Sequence, residues 1–133
     1  MKTIYLILIV MISCSSCSED ENQSRNENDR EINGKWQLIE IYDGGSPSPV
    51  TVIDDGEIIS FENDNIFSNT DFNCTGTYSF TDSEILNIEL PCQNSNIMNF
   101  TYLIENGLLY LTPHPNSCDE GCYNKYEKVT IGE

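Results

Sequence analysis

Along most of the chain, large apolar residues alternate with polar ones in short runs. Turn-forming clusters separate the runs at intervals of about 8–12 residues, the spacing of an all-β domain. Alternation at period two puts every second side chain on one face, so each run reads as a strand with one buried side. Residues 36–42 (WQLIEIY) predict a first strand, ended by the turn-rich Asp43-Gly44-Gly45-Ser46-Pro47-Ser48-Pro49. Residues 57–62 and 66–70 predict a second and a third around Asn63-Asp64-Asn65, residue types that tolerate left-handed backbone. No stretch sustains a 3.6 period, so no long helix is expected.

The next hairpins can be registered residue by residue. Residues 74–80 and 85–90 both carry their larger side chains at even positions. Pairing Thr81 with Ile85 sets Phe80 against Leu86, Tyr78 against Ile88 and Cys74 against Cys92. Cysteines directly opposite in a ladder lie near disulfide distance, and a slip of one residue would turn the apolar faces apart. Residues 97–105 and 108–112 flank Asn106-Gly107, a strong signal for a two-residue hairpin turn. That register puts Met98, Phe100, Tyr102 and Ile104 on one face with Leu109 and Leu111. A last strand spans about residues 123–131. The expected fold is all-β: a small up-and-down antiparallel meander of about eight strands, closed into a barrel to remove its two edges.

The N-terminus has a different pattern. Lys2 precedes an apolar run of nine residues, 4–12 (IYLILIVMI). A membrane-spanning helix needs about 20, whereas this length suits the apolar region of a secretory signal peptide. The run ends in Ser13-Cys14-Ser15-Ser16-Cys17. Small residues followed by cysteine resemble the lipobox of bacterial lipoproteins, whose cysteine becomes the new N-terminus and carries acyl chains such as palmitate. Cys14, which abuts the apolar run, is the expected lipid anchor, with Cys17 as the alternative. More than one acyl chain would give stable anchoring. Residues 18–31 (SEDENQSRNENDRE) hold no large apolar residue and are expected to be a disordered tether. An acidic patch after the anchor also resembles the surface-export signal of Bacteroidota lipoproteins. The expected organisation is therefore a signal peptide at 1–13, a lipidated cysteine with an acidic tether at 14–31, and a barrel domain at 32–133. Such a protein would sit lipid-anchored at the outer membrane, facing either the surface or the periplasm.

Charge narrows the partners. Without residues 1–13 the chain keeps five cations, Arg25, Arg30, Lys35, Lys125 and Lys128, against 22 acids, a net charge of −17. That charge repels phosphates, so no nucleic-acid partner is expected. The expected partners are a membrane, reached through the acyl chains, and either a small apolar ligand or an envelope protein.

The four domain cysteines, Cys74, Cys92, Cys118 and Cys122, allow three connectivities. The hairpin register selects Cys74–Cys92 and leaves Cys118–Cys122. An even count outside the cytoplasm reads as disulfides. A zinc site from His114, Cys118 and Cys122 would lack a fourth ligand and would need free thiolates, so neither metal nor cofactor is expected. His114 is the chain's one histidine, held in Pro113-His114-Pro115. No nucleophile elbow, P-loop or dinucleotide glycine pattern accompanies it. Acids such as those of Asp54-Asp55-Gly56-Glu57 read as a solvated turn. No enzymatic activity is expected.

Gly34-Lys35-Trp36 opens the first strand and fits the G-x-W of lipocalins. Residues 32–131 resemble the short lipocalin-like domain of Bacteroidota lipoproteins. The shared features are Gly34-Lys35-Trp36, Ile59-Ser60-Phe61, Thr75-Gly76-Thr77-Tyr78 and Cys118-x-x-Gly121-Cys122 with Lys125-Tyr126. The resemblance implies that the tryptophan closes a barrel floor beneath a basic side chain, here Lys125 or Lys128, by cation–π attraction. It also implies a small apolar ligand held among Trp36, Tyr78, Phe80, Leu86, Ile88, Phe100, Tyr102, Leu109 and Leu111. In the alternative, those side chains fill a solid barrel and the protein acts on a partner through loops near residues 44–50 and 113–121.

Overall fold

The computed structural model describes residues 31–130, apart from 46, 48, 49, 83, 94, 95, 117, 119 and 120. The expected signal peptide, the lipid anchor at Cys14 or Cys17, and the tether except for Glu31 lie outside the described residues.

Nine strands follow in order: β1 (Gly34–Tyr42), β2 (Thr51–Val52), β3 (Ile58–Glu62), β4 (Ile66–Asn69), β5 (Cys74–Phe80), β6 (Ile85–Leu90), β7 (Asn96–Glu105), β8 (Leu108–Pro113) and β9 (Tyr123–Lys128). From β3 onward each strand pairs antiparallel with the next, and β1 pairs with both β3 and β9. Eight strands thus close into a barrel.

The hairpin registers follow the apolar alternation. Phe80 faces Leu86, Tyr78 faces Ile88, and Thr81 N–H donates to the Ile85 carbonyl at 3.0 Å. Cys74 and Cys92 are bonded, with Cα atoms 6.2 Å apart. Cys92 lies just past the ladder, in the 3₁₀ turn Pro91–Gln93 that ends β6. Glu105 faces Leu108 across Asn106 and Gly107, whose φ angles of 53° and 77° are those the tight hairpin turn requires.

Two irregularities do not show in the alternation. β2 is a two-residue strand that pairs with the end of β1, Glu40 to Val52 and Ile41 to Thr51. It continues the line of β3 after an interruption, which Ile53 N–H to Ile39 O and Glu57 O to Leu38 N–H, both 2.9 Å, hold against β1. Gly56 lies so close to β1 there that a Cβ would fall 2.2 Å from the Leu38 carbonyl oxygen. The second irregularity is a bulge: Leu38 pairs with Tyr126, but Glu40 pairs with Lys125. The extra residue reverses the alternation, so Leu38 and Ile41 both pack on the core while Glu40 meets Lys125 outside it.

The barrel has two unlike ends. The chain enters at the floor, where the β3–β4, β5–β6 and β7–β8 hairpins also turn. The mouth carries the connections 43–57, 70–73, 91–95 and 114–122, and with them both disulfides.

Candidate functional site

The floor is shut. Ile32 is fully buried, and its carbonyl accepts a 2.7 Å hydrogen bond from Trp36 Nε1, itself 1% exposed. Lys128, paired with Trp36 in the ladder, sets its Nζ 5.0 Å from the centre of the indole. Gly34, at φ 130°, makes room for it, since a Cβ there would fall 2.9 Å from Lys128 Cε. The Tyr78 hydroxyl lies 3.0 Å from Asn33 Oδ1 and 3.2 Å from the Glu62 carbonyl. Of the two lysines considered for the tryptophan, Lys128 occupies the position. Lys125 stands on the outer wall, 2.9 Å from Glu40 and 5.7 Å from the Tyr110 ring centre. That hydrogen bond holds the Glu40 carboxyl below its usual range and the Lys125 ammonium above its own.

Above the floor, the inward side chains fall into two groups. Trp36, Phe61, Tyr78, Leu86, Ile88, Leu109 and Leu111 are buried. The inward face of β7 differs: Met98, Phe100, Tyr102 and Ile104 are only half-buried, as is Phe80. Their ladder partners are not. Phe100 faces Leu86, Met98 faces Ile88, Tyr102 faces Leu111 and Ile104 faces Leu109, all four partners being 3% exposed or less. An inward strip thus stays partly accessible beside the sealed Leu86, Ile88, Leu109 and Leu111. Its walls are aromatic rings, a thioether and a branched aliphatic, which suits contact with an apolar molecule. Phe80 lies 5.2 Å from Tyr102 and 6.0 Å from Tyr78, and so joins the strip to the buried aromatic row Tyr78–Phe61–Phe67.

Toward the mouth the lumen becomes polar. Glu57, read from the sequence as part of a solvated turn, turns its carboxylate inward instead. One oxygen accepts from Tyr126 O–H at 3.1 Å and the other from Asn69 Nδ2 at 2.8 Å. Asn69 is fixed in turn, because its Oδ1 accepts Asp71 N–H at 2.8 Å. Burial, with Glu57 alongside, pushes the Tyr126 phenol well above its ordinary pKa. Glu57, Asn69 and Tyr126 were missed as a group. A signal did exist: Glu57 and Asn69 share faces with Ile59, Phe61 and Phe67 at period two.

Cys118 and Cys122 are bonded to each other, so no thiolate is left there for zinc; their loop packs on Gly44, where a Cβ would fall 2.9 Å from Cys118 Cβ. His114 is exposed. Among the described residues, no group of three or more histidine, cysteine or acidic side chains could hold a metal ion. The arrangement offers apolar contact along β7 and a hydrogen-bonded carboxylate near the mouth. Neither models of known protein families nor curated proteins match the chain.

Proposed function

We propose that the protein is a cell-envelope lipoprotein whose lipocalin-like barrel carries a small apolar molecule. The observation that supports the carrier reading is the inward strip Met98, Phe100, Tyr102, Ile104 and Phe80, half-buried while Leu86, Ile88, Leu109 and Leu111 beside it are sealed. Tight packing leaves few gaps in an ordinary core, so accessible inward aromatics mark room for a guest. The lipocalin likeness rests on Gly34-Lys35-Trp36 at a closed floor, with Lys128 over the indole. The envelope role rests on the apolar run at 4–12, the cysteine that follows it, and two disulfides. The binding is non-catalytic.

A second reading has its own support. Trp36, Phe61, Ile59, Leu86, Ile88, Leu90 and Leu109 are each no more than 2% exposed, a heavily filled core for a carrier. A barrel filled in this way would act on an envelope protein through its mouth loops.

Native mass spectrometry separates the two. The chain is exported through an oxidising periplasm, with Cys14→Ser and Cys17→Ser keeping it free of lipid, and is compared with the same sample denatured. A carrier shows surplus mass that vanishes on denaturation. A bare mass, lighter only by the hydrogens lost to the two disulfides, together with no uptake of an added apolar dye, would favour the filled barrel.

A further inference from the structure

We propose that Glu57 is a counter-ion inside the barrel and that the ligand carries a protonated amine on an apolar body. The inference rests on the carrier reading and specifies the ligand's polar end.

The location of the carboxylate follows from its partners. Tyr126 is on β9 and Asn69 on β4, with β1 and β3 lying between them in the sheet. Those strands are three inter-strand spacings of about 4.8 Å apart along the wall. Glu57 lies on that stretch of wall, its carbonyl accepting Leu38 N–H of β1, and Tyr126 and Asn69 reach its carboxylate from either side. Glu57 is half-buried there, and both carboxylate oxygens are held in place.

The carboxylate has no cation of its own among the described residues. Lys125 is committed to Glu40 and Lys128 lies over Trp36, while Lys35 is exposed next to the floor. Its partners are a neutral amide and a phenol kept protonated. Partly desolvating a charge without an opposite charge is costly, and a cationic ligand supplies what is missing. Each carboxylate oxygen accepts one bond from the protein and has a lone pair to spare. The strip on β7 provides the apolar half of the same lumen, since β7 lies diametrically opposite β3 in the closed order. Charge outside points the same way. The mouth segments carry exposed Asp43, Asp54, Asp55 and Asp71, whereas no described lysine lies on them. That field draws cations toward the opening.

The test is displacement of the neutral dye N-phenyl-1-naphthylamine from the exported, lipid-free chain by decylamine, decanol and decanoate at pH 7. Decylamine should displace the dye at a concentration at least tenfold below that of decanol, and decanoate should be the weakest. In Glu57→Gln the amine should fall to the level of decanol, with decanol itself unchanged. Asp54→Asn, which removes the same charge from the outer loop, should keep the amine preference within about twofold, as expected for a screened surface charge. Equal displacement by decylamine and decanol in the wild type would overturn the proposal and leave the carrier reading standing. So would an Asp54→Asn loss as large as that of Glu57→Gln, because the preference would then belong to the general field. A barrel that takes up neither the dye nor any chain would overturn both.

Discussion

The floor and the mouth of this barrel are built on opposite plans. At the floor, each polar group that comes inside is matched within the chain: indole N–H to the Ile32 carbonyl, Tyr78 hydroxyl to Asn33, ammonium to the face of Trp36. Among the described residues, no buried polar side chain there lacks a partner. Near the mouth, a carboxylate is held by two neutral donors and has no cation among the described residues. The floor therefore supplies stability and the mouth supplies chemistry. Substitutions at the floor should cost folding free energy, while those of the inward polar groups near the mouth should change binding more than folding.

The largest expected effect is at the floor. Trp36→Ala removes a side chain that is 1% exposed and should cost about 3–5 kcal/mol in urea unfolding, enough to threaten the fold. The disulfides come next. Cys74→Ser opens a bridge with a sequence separation of 18, which chain entropy values at about 3 kcal/mol. Cys118→Ser opens one with a separation of 4 and should cost about 2 kcal/mol under the same oxidising conditions. Both bridges lie at the mouth, and an order reversed between them would mean that loop length does not set their contribution. Glu57→Gln should cost about 1 kcal/mol, the scale of one weakened hydrogen bond, while abolishing the amine preference. Lys128→Met keeps the stem that covers the indole and should lose only about 0.5–1 kcal/mol of cation–π attraction.

Alkaline pH probes the polar lumen without mutation. The ordinary tyrosine pKa is 10.0, and that of Tyr126 is raised in the folded protein. A raised folded pKa means that its contribution to stability is complete below about pH 10 and is lost as pH climbs toward the folded value. Phenolate absorbance should show a late component to which Tyr126 contributes, along with Tyr123 through its bond to Glu40, and Tyr126→Phe should shrink that late component. If all the rings ionise together, Tyr126 is not in the enclosed contact with Glu57 described above.

Much of the architecture was legible because alternation and turn chemistry agreed. Tyr78, Phe80, Leu86 and Ile88 found their partners from parity, the Thr81–Ile85 turn and the opposed cysteines, and Asn106-Gly107 set the register of β7 on β8. The bulge at Ile39 was hidden because Leu38, Ile39 and Ile41 are all apolar, so the reversed parity leaves no polar residue out of place. β2 is too short to show any period. Lys125 and Lys128 could not be told apart by type; what separates them is that Lys128 is the residue paired with Trp36. Glu57 was hidden by its neighbours, since acids beside a glycine read as an exposed turn. The contrast between β6 and β7 was not legible either. Ile-Leu and Met-Phe-Tyr-Ile patterns alternate alike, and only closure of the barrel decides which of them is sealed.

The chain's entry point has a mechanical consequence. The described residues begin at Glu31 and Ile32, directly beneath Trp36. An acyl anchor upstream would join the domain at its sealed end. On the proposed lipoprotein reading, the mouth would then be the part farthest from the point of attachment.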